Sequence, residues 1–401
     1  MTRRSQAPGK NRSNSTTVKL GANSLRAEKS RARLSRRQFL LRAGGAAALP
    51  WLARPGRAAA SAGTPREVAV AAFAKHKATH PLTHYTGILS LQALARLAVA
   101  EGDEHLIAQA RGELLPFVRG ERVFRCNFPN YHIGGNGTAF LLWQGRLPEA
   151  VEPVRRHARM IMTEAARSSD GVLTRPDKGG TEAVFIDAAF AVCPFLAFAG
   201  RALQEPAYLE EAYQQVQMLF TLLRDPANGL LHQARGFSQR GQVTEDHWSR
   251  GNGWGGLAVT ELLDALPAGH ARRAETTRLA SDLIEACLRV QGPEGLWHQE
   301  LTLPSSYVET SGSGLMLYAL GMGLAQGWLP TRHRAAFERG LAAYRGYIET
   351  DSSVRNTCVG CLSPGAGKIA DYLAKRPATN DPHAFGPVAL AFGVAQRLIL
   401  S

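Results

Sequence analysis

From about residue 65 onward, apolar positions recur at spacings of three and four, and Gly, Pro and Asn fall at the joints. That period predicts helices almost throughout; no stretch shows the sustained alternation of a half-buried strand. The helices are of two alternating kinds. Six are apolar and rich in small residues (86–99, 137–145, 183–202, 253–265, 312–326 and 385–399). Between them lie charged, amphipathic ones (103–118, 148–167, 206–224, 271–290 and 331–349). Each pair occupies a few tens of residues, the scale of a helical-hairpin array. Periodicity alone fits either an open solenoid or a closed ring with the apolar helices inside. An open array needs a polar cap on its last repeat, and 385–399 is mostly apolar, which favours closure. In a ring, the joining segments 126–136, 171–182, 228–254, 291–311 and 355–383 collect on one rim, and they carry the unusual chemistry.

Charge changes the picture once its place is known. The 401 residues have a formal net charge of +14, but residues 1–62 hold fourteen Lys/Arg and one Glu. What remains is close to neutral, with 33 basic and 32 acidic residues, and this excludes nucleic acid as the partner of the folded part. The leader is polar and basic to residue 34, then reads Ser35-Arg36-Arg37-Gln38-Phe39-Leu40-Leu41, a twin-arginine pattern. A mild apolar run follows to Trp51, broken by Arg42 and Gly44-Gly45, and small residues at Ala58-Ala59-Ala60-Ser61-Ala62 suit a signal peptidase. The run is too short and mild for a stable membrane span. We therefore expect residues 1–62 to be an export signal read by the twin-arginine machinery. Residues 63–401 are then a single domain, periplasmic or secreted. The five cysteines, Cys126, Cys193, Cys287, Cys358 and Cys361, make no disulfide framework, and Cys358-Val359-Gly360-Cys361 lacks the second pair of a zinc site.

Two stretches stand out chemically. His247-Trp248-Ser249-Arg250-Gly251-Asn252-Gly253-Trp254 sets an arginine and an asparagine between tryptophans, a combination suited to a flat, oxygen-rich ligand. Its glycines permit a sharp bend or a close backbone approach. In Glu182–Cys193, Asp187 is the only charge after Glu182 in an otherwise apolar helix, and its neighbours at three and four cannot neutralise it. Desolvation raises such a carboxyl and suits it as a general acid, although a distant arginine or a capping role would also explain it. His232 and His298 occupy similar Gly-Leu-x-His settings between helices, Glu309-Thr310-Ser311-Gly312-Ser313 precedes an apolar helix, and so does His383.

The series Phe-Ile-Asp…Cys-Pro-Phe-Leu (185–196), Asn-Gly-Leu-Leu-His (228–232), Trp-Ser-Arg-Gly-Asn-Gly-Trp (248–254), Gly-Leu-Trp-His-Gln (295–299), Glu-Thr-Ser-Gly-Ser (309–313) and His-Ala-Phe-Gly-Pro (383–387) resembles glycoside hydrolase families 88 and 105. The resemblance spans residues 85–399. It implies an all-α (α/α)6 barrel of six helical hairpins with a pocket at one end. It also implies a substrate ending in a 4,5-unsaturated uronic acid left by a polysaccharide lyase, of rhamnogalacturonan or pectin type, and no metal or organic cofactor. Asp187 is then the acid that protonates C4 and later the base. Arg250 and Trp254 hold and stack the sugar, Trp248, His232, Asn252 and His298 line the pocket, and Ser311 and Ser313 meet the uronate carboxylate. Members of these families carry a second Asp before an earlier inner helix. Here that region reads Asn130-Tyr131-His132-Ile133-Gly134-Gly135-Asn136-Gly137, and His132 or Asn136 is expected to stand in its place. Two other readings fit: a lyase or ordinary glycosidase on the same barrel, and a carbohydrate-binding relative without turnover.

Overall fold

The computed structural model describes residues 63–124, 128–362 and 364–400; the expected export leader and Cys126 lie outside them. Thr64 starts the helical array. It accepts from the Glu67 amide while Glu67 accepts from the Thr64 amide, a capping box that, with Pro65, opens α1 (Pro65–Thr79). Inner helices follow as α2 (Tyr85–Glu101), α4 (Gly135–Trp143), α6 (Asp187–Leu203), α8 (Ser249–Ala265), α10 (Thr310–Ala325) and α13 (Phe385–Leu400). Outside them lie α3 (Glu104–Val118), α5 (Val151–Thr163), α7 (Pro206–Leu223), α9 (Arg273–Arg289) and α11 (Arg334–Arg345); a short α12 (Ile369–Leu373) sits in the last connection. The inner helices are buried on nearly every side, as in α8, where all residues from Ser249 to Leu263 are buried. The outer ones bury one stripe, as α5 does with Val154, His157, Ala158 and Ile161.

Each inner helix packs on the next, and α13 packs back on α2 and on α1. The array is thus a closed (α/α)6 ring, and α1 is the sixth outer helix that the charge pattern does not single out. Among the described residues no helix is long and apolar enough to cross a membrane.

Two element boundaries differ from the periodicity. Val184–Phe185 forms a two-residue strand paired antiparallel with Ala234–Arg235, so the helix begins at Asp187 rather than at 183. The strand pairing consumes the backbone groups that a longer helix would use, and it moves Asp187 from mid-helix to the rim. Conversely, α8 begins at Ser249, so the glycine-rich stretch is helical rather than a bend. Its glycines serve packing. A Cβ on Gly253 would lie 2.7 Å from Leu315 Cβ, and one on Gly312 only 2.5 Å from the Ser249 carbonyl carbon. The roughly 1 kcal/mol that a helical glycine costs lets α8 and α10 touch backbone to backbone.

The two ends of the ring are chemically distinct. At the C-terminal end of the inner helices, Arg96 pairs with Glu261 and with Asp264 (2.6 Å), while Tyr318 and Gln92 donate to Glu261 at 2.8 Å each. A hollow of about 280 Å³ there is walled by these self-satisfied charges and by Phe140, Trp143 and Met322. The N-terminal ends of the inner helices form the other rim, where a smaller pocket of about 130 Å³ contains Asp187.

Candidate active site

The pocket at the N-terminal rim is walled by Tyr85, Phe128, Tyr131, Arg175, Asp187, Phe190, Ala191, Trp254 and Leu362. Asp187 is the first residue of α6 and is set deeply, with an accessible face on the pocket. Burial pushes its carboxyl up to about 6, against the opposing pull of Arg250, of a Gln233 hydrogen bond, of its own amide and of Arg175. Gln233 Nε2 donates to Asp187 Oδ2 at 3.4 Å and to the Cys361 carbonyl at 2.8 Å, while Tyr372 donates to Gln233 Oε1 at 2.7 Å. One turn further along α6, Phe190 stacks on Trp254 with ring centroids 4.4 Å apart and planes 18° from parallel. An acid and an indole from facing helices therefore share the same hollow.

Arg250 is part of the wall behind this pocket. Its Nη1 donates to Ser311 Oγ (2.9 Å) and to the Cys358 carbonyl (2.6 Å), and its Nη2 donates to the Val359 carbonyl (2.9 Å). The guanidinium lies 4.4 Å from the Trp248 ring centroid. Trp248 itself packs with Cys358, Cys361 and Tyr372 rather than facing the hollow. Glu309, the N-cap of α10, ties the arrangement together. It accepts from the amides of Ser311 (2.9 Å), Gly312 (2.7 Å) and Cys358 (2.9 Å) and from the hydroxyls of Ser249 (3.0 Å) and Ser311 (2.7 Å). Ser311 thus mediates between Arg250 and Glu309.

Other expected contacts are placed elsewhere. Asn252 faces the chain, accepting from the Leu231 amide (2.8 Å) and donating to the carbonyls of Leu231 (2.9 Å) and Trp248 (3.1 Å). Ser313 accepts from the Trp297 amide at 3.0 Å, and His298 Nδ1 donates to the Ser306 carbonyl at 2.6 Å. Asn136 is buried in the barrel, donating to Gln92 Oε1 and to the Phe190 carbonyl at 3.1 Å each. His132 is exposed beside His157 of α5, on the outer flank. Asn130, like Asn136 and unlike His132, reaches the helix that carries Asp187, donating to the Ala191 carbonyl at 2.7 Å. We expect Asn252→Ala to lower stability by about 2 kcal/mol, because three buried backbone partners lose their bonds; a fall of the thermal midpoint by several degrees checks it.

His232 turns toward the Asp246 carbonyl (2.9 Å) and the His247 ring, whose centroid is 4.7 Å away. Asp225, His232 and His247 bring ligand-type atoms within 4.8 Å of one another, but His247 Nε2 already bonds Asp225 Oδ2 at 2.9 Å. Burial works against a charge on His247, yet Glu300 and Asp225 outweigh it and raise its pKa, so the group reads as an ion pair. Sequence reasoning missed Tyr85 and Arg175. Tyr85 donates to His383 Nε2, whose Nδ1 lies 2.5 Å from Asp381 Oδ1; burial above all holds His383 down to about 4, as the neutral acceptor. The Asp-Pro-His triplet ahead of an inner helix was the available signal for that series; nothing local marks Arg175.

A closed ring of helical hairpins whose N-terminal pocket has, among the described residues of its wall, a single carboxylate and a stacked tryptophan defines a carbohydrate-active (α/α)6-barrel protein. The match extends to the whole ring: residues 67–398 fit the family model of Glycosyl Hydrolase Family 88, and the chain belongs to that family. An unsaturated rhamnogalacturonyl hydrolase, YesR of Bacillus subtilis, is 26% identical over 52% of this chain and 60% of its own length. An unsaturated 3S-rhamnoglycuronyl hydrolase of Formosa agariphila is 32% identical over 36% of this chain and 41% of its own. The chain thus spans about half the length of the curated relatives it matches. A family 105 glycoside hydrolase of C. acetobutylicum superposes with a TM-score of 0.70 over 82% of this chain and 99% of that one, at 19% identity. The unsaturated glucuronyl hydrolase of Bacillus sp. GL1 does so with a TM-score of 0.59 at 16% identity, over 81% and 94%. At these identities the likeness is one of fold.

Proposed function

We propose that this protein releases terminal 4,5-unsaturated uronic acid from lyase-generated oligosaccharides, with rhamnogalacturonan fragments as the first substrates to test. The observation that carries the reading is that Asp187 is the one carboxylate among the described residues walling the pocket, opposite a stacked Trp254. Direct cleavage of a glycosidic bond ordinarily uses two carboxylates across it. Hydration of an enol ether needs one acid. Asp187 gives its proton to C4, water adds to C5, and the water's proton returns to the carboxylate. The hemiketal at C5 opens to a ketone, the former ring oxygen leaves C1 a hemiacetal, and the aglycone departs as an alcohol. The names of the curated relatives support the substrate class, and the twin-arginine pattern at residues 35–41 supports an exported protein.

The test follows the ultraviolet absorbance of the conjugated C4–C5 double bond in a panel of lyase-generated disaccharides. Loss of absorbance with the release of one aglycone per double bond consumed is the expected result. An unchanged signal on every member, or cleavage of saturated polymer instead, would sink the reading.

A further inference from the structure

The guanidinium that the sequence offers for a uronate carboxylate is not free to bind one. Arg250 is 1% exposed, its three hydrogen bonds go to Ser311 and to the carbonyls of Cys358 and Val359, and Trp248 covers it. A forked salt bridge needs two parallel N–H donors on one open edge, and here three of the five N–H groups are engaged with protein and the side chain is closed off by burial. A carboxylate entering the pocket must find its cation elsewhere.

Arg175 is the one cationic side chain among the described residues walling the pocket. It precedes Pro176, which keeps its backbone out of the helical region (φ −122°, ψ 89°). Nη2 is tied to Asp177 Oδ2 at 3.1 Å, on the exposed side. Nε is buried and has no partner, although a guanidinium N–H kept from water without an acceptor costs about 1–3 kcal/mol. Arg175 also acts electrostatically on both Asp187 and Tyr85, on two sides of the same hollow. A partly exposed cation in the pocket wall that gives only Nη2 to Asp177, with the buried Arg250 behind, marks a place for an anion.

We propose that Arg175 is the specificity residue for the ligand's carboxylate, received by the accessible end of its guanidinium, and that Arg250 has a positioning role behind the wall. This rests on the reading of the pocket as a uronate site. It has a further consequence for the acid: a bound carboxylate neutralises the Arg175 cation that favours ionised Asp187, so binding raises the proton affinity of Asp187 just when the proton is needed.

The experiment measures binding of glucuronate and of its neutral isostere glucuronamide to the wild type, Arg175→Ala and Arg175→Lys, alongside turnover of the unsaturated disaccharide and of its methyl ester. Wild type should prefer acid to amide by tenfold or more. Arg175→Ala should remove that preference while binding the amide within about twofold of wild type, and Arg175→Lys should restore part of it. With Arg175→Ala, kcat/KM should fall roughly 10- to 100-fold for the acid disaccharide and little for its ester, and the pH at which kcat/KM declines should move up. A preference that survives in Arg175→Ala, an equal loss on acid and neutral ligands, or a wild type indifferent to the carboxylate would overturn the proposal. Failure of the hydrolase reading appears separately, as absent turnover in a wild type that still distinguishes acid from amide.

Discussion

Asp187→Asn will lower kcat by about 10²- to 10⁴-fold, the range that removal of a general acid typically produces. Asparagine keeps the size of the side chain and can still meet Gln233, so the pocket should bind sugar while failing to turn it over. The same substitution should stabilise the protein at neutral pH. The carboxyl of Asp187 is raised to about 6 in the folded state, chiefly by burial, above the usual aspartate value that an unfolded chain shows. The folded state therefore holds this proton more tightly than the unfolded one. Stability contributed by the protonated carboxyl is fully present below the unfolded pKa and declines as pH rises through the folded one. By pH 7 the ionised, buried Asp187 costs up to about 3 kcal/mol, which asparagine avoids. Thermal midpoints of the two proteins should accordingly coincide near pH 3.5, diverge as pH rises from about 4 to about 6, and stay apart above that, with the variant higher. Wild-type turnover should fall as pH rises through about 6, when the acid loses its proton. A variant that retains activity, or that melts lower than wild type at pH 7, would contradict this account.

Arg250→Ala has its largest effect on folding rather than on binding. Two backbone carbonyls and the Ser311 hydroxyl lose their donor, Trp248 loses the cation against its face, and Glu309 keeps a buried negative charge without the nearby positive one. Breaking such an arrangement from one side costs about 3–5 kcal/mol. The 357–361 segment, whose remaining ties include its pairing with Pro377–Ala378 and its bonds to Glu309 and Gln233, should loosen first. Urea or thermal denaturation checks the loss. An equally stable variant with only a raised KM would return Arg250 to the role of a substrate clamp.

How much of this was legible in the sequence depends on how far apart the partners lie. The alternation of apolar and charged helices is a local property, and it led to the ring because each inner helix is apolar all round. The isolated charge of Asp187 was visible because the four residues on either side of it are apolar; that it opens the helix rather than sits inside it was not. Trp254 was legible by residue type, and the structure places it in the pocket. The positions of Asn252, Ser313 and Asn136 were not legible, because a polar residue beside a helix start reads alike whether it faces a ligand or a distant carbonyl. Arg250 shows this most clearly, since its bonds reach residues 61, 108 and 109 positions away. The glycines of α8 were open to the same ambiguity; only the neighbouring Gly312 reveals that they admit another helix. Arg96 and Glu261, 165 residues apart, carry no local sign of their pairing at the opposite end.

Because α13 packs on both α1 and α2, the first and last helices of the described chain share one wall. An open stack of hairpins can nucleate anywhere and fray from its ends. A ring has no end to fray, and its last seam joins partners some three hundred residues apart, so much of the loop-closure entropy is spent before the final interface is formed. Until Phe385–Leu400 docks, the apolar faces of α1, α2 and α10 that it covers stand open at the seam, and the pocket rim that needs both Tyr85 and His383 does not yet exist.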